Sequence, residues 1–188
     1  MSQIQPQSRI FDKVGYDLLH TATCPKLSER SKASLHYQIW YQPDQDHYAI
    51  CLSKNDSAGG FSTELIRVTD ILTLLAELQK SNQPFHATVF KPLYTGKSVN
   101  NHCFLAAVLV DQKVIQLHPQ TTRLLEVSSE FEFWSISLKG YQNHSNDQIS
   151  ETESVTLKKP PYTPKKREKT EAIDSDSELN NEDHSKIS

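Results

Sequence analysis

Cysteine is scarce in this chain, and what there is does not pair. Cys24, Cys51 and Cys103 are odd in number, widely spaced and outside any Cys-x-x-Cys, which argues against a disulfide framework. Cys51 (AICLS) and Cys103 (HCFLAAVLV) lie in apolar runs, where a thiol acts as a small hydrophobe. A reducing compartment suits such thiols, so a cytoplasmic protein is expected. Long apolar runs are missing too. None approaches the length that spans a bilayer, and MSQIQPQSR lacks the apolar stretch of a signal peptide. No membrane partner is expected. A basic excess is also absent: net charge is −3. From Lys158 to Ser188 seven Lys and Arg balance seven Asp and Glu, so the imbalance lies upstream. That argues against a generally basic nucleic-acid-binding surface and leaves room for a local patch.

Apolar residues recur with a period up to Leu138 and only singly from Gly140 onward. A stretch without such a period buries too little surface to offset its ordering entropy. We therefore expect one globular domain over 1–139 and a disordered tail over 140–188. The tail separates its charges: 158–169 (KKPPYTPKKREK) is basic and 171–183 (EAIDSDSELNNED) is acidic. Such segregation suits a protein that works by contacting something.

Ser8 is placed to cap a first helix, with Ile10, Phe11, Val14, Leu18 and Leu19 at helical spacing. Thr21 to Ala33 is polar, holds Pro25 and reads as a loop. Leu35–Tyr41 and His47–Ser53, aromatic and β-branched, flank the turn residues Pro43 to Asp46 and predict a β-hairpin. Phe61–Val68 reads as a third strand. Thr69 is placed to cap a helix from Asp70 to Lys80, with Ile71, Leu72, Leu75 and Leu78 on one face. Phe85–Phe90 reads as strand or short helix. Cys103–Val110 is short enough to be either; the asparagines before it and Ala106-Ala107 favour helix. Val114–Leu117 and Arg123–Val127 read as two short strands, and Phe131–Leu138 as a last one. The expected fold class is α+β: an antiparallel β-meander, a central helix and a winged-helix-like C-terminal half. The second half runs helix, short element, helix, two-stranded wing, an order that resembles a winged helix in topology only.

No catalytic motif is complete. Gly96-Lys97-Ser98 resembles the end of a phosphate-binding loop, but the motif's first glycine position is Lys91, and Pro92 removes a backbone donor. His86-Ala87-Thr88 matches half of a paired-histidine phosphoesterase pattern and has no second copy. His and Cys show no four-ligand metal spacing. Neighbouring side chains diverge, so His102 is poorly placed as a base for Cys103. No cofactor is expected.

The reading that results is a non-enzymatic cytoplasmic accessory or regulatory protein associated with nucleic acid. Its contact residues would be Lys91, Lys97, Asn100 and Asn101 around the second helix. Lys158, Lys159, Lys165, Lys166, Arg167 and Lys169 would add phosphate contacts from the tail. The alternative is a protein-binding adaptor, immunity-type protein or effector that docks a partner through an exposed hairpin edge or through Trp40 and Tyr41. The two separate by whether Lys91, Lys97 and Arg123 converge on one face.

Overall fold

A computed structural model describes residues 10–28, 30–96 and 99–142. The stretches 158–169 and 171–183, and Lys97, lie outside the described residues. Strands β1 (Asp17–Pro25), β2 (Ser34–Gln42), β3 (His47–Asn55) and β4 (Ile66–Arg67) form one antiparallel sheet in sequence order. Helix α1 (Val68–Ser81) follows, then a 3-10 helix (Ala87–Leu93) and α2 (Asn101–Asp111). Strands β5 (Ile115–His118) and β6 (Thr121–Val127) make a second, two-stranded sheet. A 3-10 turn (Phe131–Phe133) leads into helix α3 (134–142). The architecture is α+β with an antiparallel meander.

The β2–β3 hairpin forms where the aromatic and β-branched runs lie. Its connection is a 3-10 turn, Pro43–Gln45, closed by Asp46 in the left-handed region (φ 47°). An Asp tolerates that conformation better than most residues. The core face of the sheet carries Tyr37, Ile39, Ile50 and Leu52. They share one cluster with Ile71 and Leu75 of α1 and with Leu105, Val108 and Leu109 of α2. The expected apolar face of α1 is only partly sealed: Ile71 and Leu75 are buried, while Leu72 and Leu78 are half-buried. The helix starts earlier than Thr69 would cap it, with Arg67 at the cap position, because Val68 is itself buried.

Several expectations fail. Residues 10–19 do not form a helix, and 21–33 is not simply a loop, because β1 runs through Asp17–Pro25. It pairs with β2 along its length, Cys24 opposite Leu35 and Ala22 opposite Tyr37. Tertiary pairing here overrides weak local propensity. Residues 10–16 instead cover the outer face of the sheet. The Leu65 amide donates to the Ile10 carbonyl at 2.8 Å. Ile10, Tyr16 and Trp40 pack over Ala49, Cys51 and Leu65. Gly15, at φ +78°, turns the chain into β1 where a Cβ would be strained. The third strand shrinks from 61–68 to Ile66–Arg67.

Phe131–Leu138 is not a strand. Phe131, Trp134 and Leu138 are buried, a helical spacing, whereas Phe133 and Ile136 are 59 % and 64 % exposed. A polar network secures this end. The Tyr37 hydroxyl donates to Asp111 Oδ2 (2.7 Å), Gln112 Nε2 donates to the Tyr37 oxygen (2.6 Å), and Trp134 Nε1 donates to Gln112 Oε1 (3.2 Å). The domain also runs beyond 139. Tyr141 stacks on His20 at 4.2 Å, and the Tyr48 hydroxyl donates to Gln142 Oε1 at 2.9 Å. A chain stopped after Lys139 is expected to be about 1–2 kcal/mol less stable than one stopped after Gln142. Urea midpoints of the two would show it; equal midpoints would mean that neither interaction contributes.

Two histidines link stability to pH. His47 hydrogen-bonds the Tyr16 hydroxyl through Nε2 at 3.0 Å. Burial, and then the Arg67 charge, hold it below its ordinary 6.5, with Asp70 opposing. Burial and Lys91 do the same to His102. Both rings bind a proton less readily folded than unfolded. Their contribution is therefore complete above pH 6.5 and falls as pH drops below it. Urea unfolding from about pH 7.5 to 5.5 should show this loss, and His47→Gln with His102→Gln should flatten it. A slope indifferent to both substitutions would locate the proton uptake elsewhere.

Candidate functional site

Upstream of Gly140 the sequence holds no basic run like that of 158–169, but the fold gathers several cations. Residues 1–139 carry thirteen Lys and Arg and thirteen Asp and Glu. That stretch is therefore neutral, and the imbalance upstream of Lys158 comes from Asp147, Glu151 and Glu153. A cavity of about 720 Å³ opens where the β1–β2 connection, the 3-10 helix, the start of α2 and β6 meet. Lys26 and Arg30 come from the connection, His86 precedes the 3-10 helix, and Arg123 comes from β6. No carboxylate lines the cavity among the described residues. Its floor is apolar, built from Leu27, Ala87, Phe104 and Leu125.

Lys26 and His86 are held by defined contacts. The Lys26 ammonium donates to Ser57 Oγ at 2.6 Å and lies 5.2 Å from the centre of the Phe104 ring. Arg123 anchors the wall through its backbone: His86 Nδ1 donates to the Arg123 carbonyl at 3.2 Å. That bond leaves Nε2 as the ring nitrogen open to a ligand. The wall is continuous because Phe85 and Leu125 exchange backbone bonds at 2.9 and 2.8 Å. Thr88 and Asn100 add a hydroxyl and an amide to the lining. Cys103, exposed, completes it; burial of its surroundings raises the thiol and Lys91 pulls it partly back. A raised thiol is a poor nucleophile near neutrality.

The expected contact residues part company here. Asn100 lines the cavity. Lys91 is exposed on the 3-10 helix, close enough for its charge to act on both His102 and Cys103. Asn101 points inward: it is buried, and its Oδ1 accepts from the Ser62 amide at 3.0 Å. Lys97 and the six tail cations lie outside the described residues. Lys26 and Arg30 carry no signal that sequence reasoning could use. They sit in a polar stretch with no motif, and only the pairing of β1 with β2 brings them to α2.

A hydroxyl–imidazole–carboxylate line exists on the outer sheet face. Asp56, held below its ordinary range by Lys54 and His36, accepts from His36 Nε2 at 3.0 Å, and His36 Nδ1 meets Thr23 Oγ1 at 3.0 Å. None of the three lines the cavity, and Lys54 pairs with Asp56 at 2.7 Å. It ties β1 to β2 and β3. Trp40 and Tyr41 are both half-buried: Lys13 lies 4.5 Å from the Trp40 ring centre, and Tyr41 packs on Tyr48. Among the described residues no three His, Cys, Asp or Glu gather as metal ligands, and no helix is long and apolar enough to cross a membrane. No protein-family model, curated protein or solved structure matches this chain.

Proposed function

We propose that this chain is a non-enzymatic cytoplasmic accessory or regulatory protein that associates with nucleic acid through the cationic cavity. One observation carries the reading. Lys26, Arg30, His86 and Arg123, from three separate segments, line one concavity that holds no carboxylate among the described residues. The like charges of Lys26, Arg30 and Arg123 repel, and an anion relieves them. Phosphates are the polyanion such a cluster suits, through charge-assisted bonds to guanidinium and ammonium groups. Arg123 lines this surface and the charge of Lys91 reaches Cys103 in its lining, which supports convergence of these two; Lys97, the third residue of that criterion, lies outside the described residues. The Lys158–Lys169 stretch would add phosphate bonds of its own.

A winged-helix-like second half is part of the proposal. It is supported by the order α1, Phe85 bridge, 3-10 helix, α2, β5–β6 hairpin, with Phe85 pairing onto β6. The middle of α2 is not free to read a groove, since Phe104 to Leu109 are all buried. Nucleic acid would instead meet its N-terminal end and the cavity rim. The adaptor reading keeps one supporting observation, the exposed pair Phe133 and Ile136 on the last helical segment.

The test is a salt series of fluorescence anisotropy with labelled oligonucleotides. Binding should weaken linearly in log–log form. Alanine at Lys158, Lys159, Lys165, Lys166, Arg167 and Lys169 should reduce the slope by roughly 0.7–0.9 for each phosphate no longer neutralised. Absence of binding at low salt would overturn this reading in favour of the adaptor.

A further inference from the structure

A surface that only tracks a phosphate backbone needs charge and little else. This one has a second component. Besides the cations, the lining holds apolar side chains and two polar ones, Thr88 and Asn100, whose side chains have no hydrogen-bond partner among the described residues. The cavity, about 720 Å³, is far larger than a phosphate group and falls in the range that encloses a small organic molecule. A double helix presents its phosphates outside and its bases stacked within, so it offers the floor nothing apolar. An unpaired nucleotide carries both parts, a phosphate and a flat base whose edge takes hydrogen bonds.

Resting on the nucleic-acid reading above, we propose that the cavity holds an unpaired nucleotide of a single strand. Its phosphates lie on Lys26, Arg30 and Arg123, and its base lies on the floor over Leu125 and Ala87. His86 fits this role. Its Nδ1 is committed to the Arg123 carbonyl, so the ring is fixed in orientation and presents Nε2 to the ligand. Cys103 gives the site a native reporter. It is the exposed cysteine in the lining, whereas Cys24 and Cys51 are buried.

The experiment uses the full chain and four probes: a 12-mer of deoxythymidine, a blunt duplex of equal length, an abasic strand of equal length, and polyglutamate. Alkylation of Cys103 by N-ethylmaleimide is followed by mass spectrometry while binding is followed by anisotropy. The thymidine strand should protect Cys103 and bind about tenfold or more tightly than the duplex and the abasic strand, the scale of one base stacked in place. Cys103→Trp, which fills the cavity from the exposed side of α2, should bring the thymidine strand down to the abasic level. Its unfolding midpoint shows whether the variant folds, and prior alkylation of the parent gives the same block without a substitution. Equal binding and equal protection by thymidine, duplex and abasic strands would overturn the inference and leave a backbone-binding protein. Polyglutamate matching the thymidine strand would overturn it in favour of an acidic peptide. No binding of any nucleic acid would overturn the proposed function as well.

Discussion

On the proposed function, replacing Lys26, Arg30 and Arg123 together by alanine is expected to weaken nucleic-acid binding by about a thousandfold. Removing one charge-assisted hydrogen bond to phosphate at each position costs about 1.4 kcal/mol, or tenfold, at the lower end for bonds to charged groups. The log–log salt slope should fall by roughly two to three at the same time. Stability should change little at the two arginines, while at Lys26 the lost bond to Ser57 and the lost contact with Phe104 should cost about 0.5–1.5 kcal/mol. Arg30 and Arg123 are exposed, Lys26 is half-buried, and none forms an ion pair with a described residue. Substitutions like those at Arg30 and Arg123 usually stay within about 0.5 kcal/mol. The control is alanine at Lys54, Lys80 and Lys139, all exposed and none lining the cavity. It removes the same net charge, so it isolates position from charge. Equal weakening in the two variants would mean that attraction is diffuse and that the cavity has no special part in it.

Trp134→Ala is expected to cost about 3–5 kcal/mol, a large share of the roughly 5–15 kcal/mol that holds a domain together. The indole is 3 % exposed and donates to Gln112 Oε1, which links it to Tyr37 in the sheet. Its removal leaves a cavity and an orphaned acceptor in one step. The neighbouring Phe133→Ala should change stability by no more than about 0.5 kcal/mol, because that ring is 59 % exposed. Urea unfolding of both variants separates the helical arrangement from a strand. On a strand Phe131 and Phe133 share a face opposite Trp134, and their order of importance would reverse.

That pair of residues shows where sequence reasoning loses its grip. Phe131–Leu138 is rich in residues that favour strands, and an alternating pattern is as easy to see in it as a helical one. The helical set, Phe131, Trp134 and Leu138, is visible only once the core beside α1 and β2 is known. The site poses the same difficulty in stronger form. Asn100 and Lys91 are legible because they flank a helix that the sequence announces. Arg123 enters through the question of convergence. Lys26 and Arg30 carry no pattern, and Asn101, which reads like its neighbour, turns inward to hold the Ser62 amide.

By itself the sequence determined the β2–β3 hairpin, helix α1 and an α+β class, because these rest on local periodicity and turn chemistry. It also favoured helix for α2, through Ala106-Ala107 and the preceding asparagines, where period was silent. Only the tertiary structure decided the rest. Strand β1 exists because Ala22 and Cys24 bury against Tyr37 and Leu35, and a strand without a strong pattern needs its partner to be seen. Segment 10–16 is ordered by the outer sheet face it covers. The cavity is made by segments up to about a hundred residues apart, from Lys26 to Arg123. Periodicity records what one element buries; it holds no information about which distant charges that burial will bring side by side.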